Sequence, residues 1–153
     1  MAERAGIYAR EIPFLDRSVQ IGVASGRVIA VSFPQARPDD AGESHPVLDQ
    51  ITAYCNGEPI EVGSIEVALT MATDRRDVLA ALRSVPYGET VTVEQLTGMT
   101  PDLDPSSEDD RDFVRSTLAE NPLPLLVPDH RVRDGPSGAP PVVEQRFRSI
   151  EGL

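Results

Sequence analysis

The tetrapeptide Asn121-Pro122-Leu123-Pro124 stops any helix that reaches it, because each proline lacks an amide N–H and holds its predecessor in extended geometry. A helix predicted from about Arg111 must therefore end near Glu120. A shorter helix is predicted from about Val93 to Gly98. The polar insert at residues 101–112 carries Asp102, Asp104, Glu108, Asp109, Asp110 and Asp112 against a single cation, Arg111. Further upstream, Val78, Leu79, Leu82 and Val85 recur at helical spacing, with Thr73 as N-cap and Pro86-Tyr87-Gly88 as the stop. Beyond the prolines, a helix near Val142 to Ile150 places Val143, Phe147 and Ile150 on one face.

The N-terminal part has a different period. Val19 to Ala24 and Arg27 to Phe33 are rich in β-branched residues around the turn signal Ser25-Gly26, which predicts a hairpin. Pro34 to Glu43 reads as an exposed loop, and Ser44 is placed to cap a helix from about Pro46 to Tyr54 that Asn56-Gly57 ends. Val47, Leu48, Ile51 and Tyr54 form its apolar face, and Ile65 to Met71 is a candidate strand. The change of period near residue 72 divides the chain into an α+β part, residues 1–72, and a mostly helical part, residues 73–153. The expected fold class is α+β. A length of 153 residues and a mass of 16.6 kDa suit one compact domain or two small ones packed together.

Charge restricts the partners. Asp and Glu total 25 against 14 cations, a net charge of −11, and every one of those cations is Arg. Such a surface repels a polyanion at low salt, because basic side chains supply most non-specific nucleic-acid affinity. The same acidic, Lys-free composition also suits a halophilic protein working in molar salt, where the Debye length falls to roughly 3 Å, and then charge reports habitat and not ligand. No apolar run approaches the ~18 residues of a spanning helix, and Met1 to Gly6 has no signal-peptide core. A cytoplasmic protein is expected, with no membrane partner. The single cysteine, Cys55, and the two histidines, His45 and His130, leave no Cys-based zinc cluster or His-rich site. Neither a metal nor another cofactor is expected, and Cys55 reads as a small half-buried packing residue.

Three ordered motifs carry a resemblance. Leu82-Arg83-Ser84-Val85-Pro86-Tyr87-Gly88-Glu89-Thr90 leads into the two short helices, and Asn121-Pro122-Leu123-Pro124-Leu125-Leu126-Val127-Pro128-Asp129-His130-Arg131-Val132 follows them. Glu151-Gly152 stands near the C-terminal end of the sequence. Together they resemble the alkylguanine-DNA alkyltransferases, that is, the methylated-DNA–protein-cysteine methyltransferases and their non-catalytic alkyltransferase-like relatives. The signature concerned is Asn-Pro-x-Pro-x-x-x-Pro-Cys-His-Arg-Val. A weaker match, His45-Pro46-Val47-Leu48 through Tyr54 and Gly57-Glu58, extends the resemblance over most of the chain. It implies a small N-terminal sheet-plus-helix domain, residues 1–72, then an alkyltransferase-like winged-helix domain, residues 73–153, with a helix-turn-helix between about residues 89 and 120.

The resemblance also implies a chemistry and a set of roles. In the family an alkyl group leaves guanine for a cysteine thiolate, a strong nucleophile once deprotonated, with a His and a Glu as proton relay. Asp129 stands at the acceptor position, His130 and Glu151 match the relay, and Asn121 matches the structural hinge. Asp129 is thus expected to be inactive, to pair with His130, Arg131 or Arg133, or to cap the following turn. The alternative is an alkyl ester at Asp129 that hydrolyses and turns over. Candidate DNA contacts are Arg111, Arg115, Ser116 and Arg131, the last in a basic patch with Arg133, Arg146 and Arg148. Several features depart from the family. Asp112 stands where the base-replacing arginine is expected, with Arg111 one residue out of register. Val93 replaces a tyrosine, and the loop Gly135 to Pro141 is short and has no aromatic or amide side chain. The expected function is that of a non-catalytic homologue whose partner is double-stranded DNA, bound weakly and salt-dependently, or a DNA-repair protein. The alternatives are an interaction or regulatory module without DNA binding, and alkyl transfer or hydrolysis at Asp129. A monomer is expected.

Overall fold

The computed structural model describes residues 5–61 and 64–153. Three antiparallel strands, β1 (Ala5–Ile12), β2 (Arg17–Ala24) and β3 (Arg27–Ser32), form one sheet in the order β1-β2-β3. The predicted hairpin is β2–β3. Its two turn residues, Ser25 and Gly26, have φ of 52° and 77°, the left-handed pair that matches the twist of a two-residue hairpin. The register slips at Gly22/Val23, so that Gly22 faces Ala30 while Val23 faces Val28. Strand β1 carries no turn signal of its own in the sequence. It pairs with β2 along its whole length, from Ala5↔Ala24 to Ile12↔Arg17, and buries Tyr8, Ala9 and Ile12.

Helix α1 (Pro46–Cys55) buries Val47, Leu48, Ile51, Tyr54 and Cys55. Its cap is His45 and not Ser44: His45 is extended, and its Nδ1 accepts from the Val47 N–H at 3.1 Å. Residues 65–71 do not form the expected strand. Val67 makes a single bridge to Val28, and the next free donor on the β3 edge, the Val31 N–H, goes to the Pro122 carbonyl at 2.8 Å. The proline segment thus takes the edge that a fourth strand would have needed.

The C-terminal part contains α2 (Thr73–Leu82), α3 (Val93–Met99), α4 (Glu108–Ala119) and α5 (Pro141–Glu151). Thr73 is the first residue of α2 and Ala72 its N-cap, without a side-chain bond. Thr92 caps α3 in a reciprocal box with Gln95, which satisfies two otherwise orphaned N–H groups. Helix α4 begins at Glu108, ahead of the expected Arg111, because the Ser107 Oγ accepts from the Asp110 N–H at 3.2 Å. Glu108, Asp109 and Asp110 therefore do not precede the helix but form its first turn, where the helix dipole favours negative charge. Helices α3 and α4, at the position expected for the helix-turn-helix, pack on each other and on α2.

One continuous core joins all of these elements. Phe33, just after β3, meets Phe147 of α5 edge-to-face at 5.7 Å. Residues 123–132 are all buried. Among the described residues no helix is long and apolar enough to cross a membrane.

Candidate functional site

The stretch between α4 and α5 turns inward at Asn121. Its side chain acts in both directions: Oδ1 accepts from the Leu123 N–H at 3.0 Å, while Nδ2 donates to the Val127 carbonyl at 3.1 Å and to Asp129 Oδ2 at 2.9 Å. The prolines exclude a helix here, so the Asn121 amide closes the turn together with the Val127 N–H, which donates to the Leu123 carbonyl at 2.8 Å. Leu125, with φ of 79°, adopts a left-handed conformation within this turn. A short 3-10 turn follows at Asp129–Arg131, and all three side chains point into the protein.

Asp129 is 1% exposed. Its Oδ1 accepts from the Ser137 hydroxyl at 2.6 Å, and its Oδ2 from Asn121 Nδ2 and from the Gly138 N–H at 2.8 Å. Burial pushes its pKa up to about 6, although the bonds from Ser137, Gly138 and Asn121 pull the other way. The loop that supplies two of these donors is sealed against Asn121. A Cβ added at Gly138 would lie 2.2 Å from the Asn121 carbonyl oxygen, so only glycine permits the approach. Gly138→Ala is expected to cost about 1–3 kcal/mol of stability by overpacking, read as a lower denaturation midpoint. A variant as stable as the wild type would show that the loop is not seated there.

Beside Asp129 lies a second buried cluster. Glu151, at the end of α5, receives Arg131 Nε at 2.9 Å and the Gly88 N–H at 3.0 Å on Oε1. On Oε2 it receives His130 Nε2 at 2.5 Å, Arg131 Nη2 at 3.2 Å and the Tyr54 hydroxyl. Burial by itself would raise the carboxyl, but the His130 and Arg131 hydrogen bonds outweigh it and hold Glu151 at about 2. His130 is fully enclosed, and burial lowers its pKa against the pull of Glu151. A neutral imidazole that donates from Nε2 leaves Nδ1 as a bare acceptor, and Nδ1 has no hydrogen-bond partner among the described residues. The Tyr54 hydroxyl, 3.2 Å from His130 Nε2, has its pKa raised by burial and by Glu151. Asp129 and His130 make no side-chain bond to each other, so the carboxylate and the base are separate units. No group of three or more metal-ligating side chains occurs among the described residues.

No protein-family profile matches the chain. The methylated-DNA–protein-cysteine methyltransferase of Methanopyrus kandleri is 28% identical over 109 residues, 70% of this chain and 78% of that protein. At that level the chain is similar in sequence to a methylated-DNA–protein-cysteine methyltransferase. Its fold is that of solved O6-methylguanine methyltransferases. The Mycobacterium tuberculosis alkyltransferase solved in complex with DNA superposes with a TM-score of 0.72 at 20% identity, covering 96% of this chain and 91% of that one. The O6-methylguanine-DNA methyltransferase of Pyrococcus kodakaraensis gives 0.69 at 19% identity, covering 97% and 99%.

The structure brings Asn121, Asp129, His130 and Glu151 into one region, places Arg131 among them, and leaves the other expected DNA contacts, Arg111, Arg115 and Ser116, on α4. Arg131 is fully buried. Its guanidinium clamps Glu151, donates to the Val85 carbonyl at 2.7 Å and lies over the Tyr87 ring at 5.7 Å, so a buried counter-ion replaces the expected DNA contact. Arg148 is likewise occupied, by the carbonyls of His130 and Val132 and by Glu144. The basic patch is therefore reduced to Arg133 and Arg146 at the surface. Arg111, Arg115 and Ser116 lie on α4 and are tied to neighbours on α4 itself, on α2 and in the loop before α4. Asp129 pairs with none of His130, Arg131 or Arg133. Val93 is buried under Gly135, and its N–H donates to Asp134 at 2.7 Å. Cys55 is buried and its thiol pushed up to about 12, far from thiolate chemistry at neutral pH.

Three participants were not legible in the sequence. Tyr54 fitted the apolar stripe of α1, and nothing local marked its hydroxyl as the polar contact reaching Glu151. Ser137 and Gly138 stood in a loop judged by its lack of aromatic and amide side chains. A serine hydroxyl and a glycine N–H followed by residues of extended geometry were the only available signal.

Proposed function

We propose that this chain is a non-catalytic homologue of the DNA alkylation-repair methyltransferases, one that binds duplex DNA weakly and salt-dependently through residues 73–153. One observation carries the non-catalytic part: both oxygens of the enclosed Asp129 are engaged by Asn121, Ser137 and Gly138. A nucleophile must present a lone pair to the carbon it attacks, and an extruded base needs a pocket beside it. Here the acceptor position is filled by a carboxylate and covered by the loop. In this reading Asn121 and Asp129 hold that loop, and His130 and Glu151 tie α5 to the rest of the protein. The duplex-binding part draws on the helix-turn-helix pair and on the relative that crystallised with DNA. A module without DNA binding is the second reading, favoured by the exposed Glu108, Asp109 and Asp112 on α4.

The deciding experiment titrates duplex DNA across KCl concentration, with and without a methylated guanine, and follows the intact mass of the protein. Saturable binding without a mass change is expected. A stable gain of one methyl would refute the non-catalytic reading, and absence of binding at every salt concentration would favour the second one. Turnover of the lesion without protein labelling would restore the ester mechanism at Asp129.

A stricter test is Asp129→Cys. It is expected to give no methyl transfer, or only a trace by mass spectrometry, because unstacking a base costs a few kcal/mol, in round terms about 2–4. The buried Val93, the tethered Arg111 and the sealed loop offer nothing to offset that cost. Efficient repair by this single variant would show that the acceptor was the only defect.

A further inference from the structure

We propose that Glu108 and Asp112 set the duplex affinity of this protein by occupying the two arginines of α4, so that the helix carries its own substitutes for DNA phosphates. The inference rests on the duplex-binding reading above. Arg111 and Arg115 are the only cations in α4. Arg111 Nη2 meets Glu108 Oε2 at 2.5 Å, while its Nη1 is held by the Pro105 carbonyl at 2.7 Å. Arg115 Nη1 meets Asp112 Oδ1 at 2.6 Å, with Glu108 Oε1 at 4.0 Å. Carboxylate oxygens at these distances take the donor positions that phosphate oxygens use on a guanidinium. The carboxylates themselves stay open, with Glu108 64% and Asp112 63% exposed, so a phosphate could displace them without rebuilding the helix.

Asp109 separates this local effect from general repulsion. It lies in the same first turn and is exposed, yet makes no ion pair among the described residues. Neutralising it changes the net charge as much as neutralising Glu108 but releases no arginine. Asp102 serves in the same way: its φ of 66° is one that asparagine also adopts.

The test compares the wild type, the double variant Glu108→Gln with Asp112→Asn, and the control Asp102→Asn with Asp109→Asn. Each is titrated against a short fluorescein-labelled duplex of mixed sequence, from about 0.1 M to about 1 M KCl, a range over which screening of exposed charges becomes nearly complete. The first variant is expected to bind about fivefold more tightly than the control of equal charge at the low-salt end, the scale of two released surface pairs. The advantage should fade as salt rises, and adding Arg111→Gln with Arg115→Gln should abolish it. Equal tightening in both variants would overturn the inference in favour of overall charge. Wild-type binding that neither variant changes would overturn it while leaving the duplex-binding reading intact. No binding by any of these proteins at any salt concentration would overturn both.

Discussion

Glu151→Gln is expected to cost the fold about 3–5 kcal/mol, measured by chemical denaturation at neutral pH, because it leaves the buried Arg131 cation without its counter-ion. Arg131 cannot turn to water, since its side chain is fully enclosed. The replacement amide would also direct hydrogens toward His130 or Tyr54, which both donate to Glu151 Oε2 in the native arrangement. The pH dependence follows from the low pKa of Glu151. A carboxyl near 2 in the folded chain, against an ordinary value of 4.5, contributes stability in full above about 4.5, and that stability is lost as pH falls toward 2. The wild type should therefore lose stability through that window, and the variant should lack this component. A loss below about 1 kcal/mol would mean that the pair is solvated and not buried.

Asp129→Asn is expected to act in the opposite direction, raising stability at pH 7 and above by on the order of 2 kcal/mol. The folded chain holds Asp129 at about 6, above its ordinary 3.8, so its ionisation works against folding. That cost is complete above about 6, shrinks as pH falls, and is absent below about 3.8. An asparagine can still accept from Asn121 and Gly138 through its oxygen. Its amide can donate to Ser137, whose hydroxyl already accepts from the Ala139 N–H at 3.0 Å. Wild type and variant should thus converge between pH 6 and pH 4. Destabilisation by the variant at pH 7 would show that the three charge-assisted bonds outweigh burial. Opposite signs at Glu151 and Asp129 would separate two buried carboxylates that the sequence alone presents alike.

What could be read locally was read well where one periodic signal dominated. The stripe Val78, Leu79, Leu82 and Val85 became the buried face of α2 and its exit, and Ser25-Gly26 became the hairpin turn. Errors arose where competing local signals were close in energy. Ser44 and His45 both stood before Pro46, and the geometry selected the imidazole. The acids at 108–110 looked like a solvated insert, although a helix N-terminus accommodates them. Strand β1 had no turn signal of its own, and its partner β2 decided it.

The sequence by itself determined the α+β class, the break at Asn121 to Pro124, the absence of cysteine from position 129 and the −11 charge. Its resemblance to the alkyltransferases also brought Asn121, Asp129, His130 and Glu151 forward as a set, because matching a motif needs no knowledge of side-chain orientation. Only the tertiary structure decided the state of each member. Whether an arginine is a ligand contact or a buried counter-ion depends on which surfaces close around it, and Arg131 is enclosed by residues as distant along the chain as Val85 and Glu151. Whether Asp129 is a free carboxylate or a saturated one depends on Ser137 and Gly138 folding back over it. Burial and hydrogen-bond closure arise from contacts remote in sequence, and they set the protonation and accessibility on which the chemistry depends.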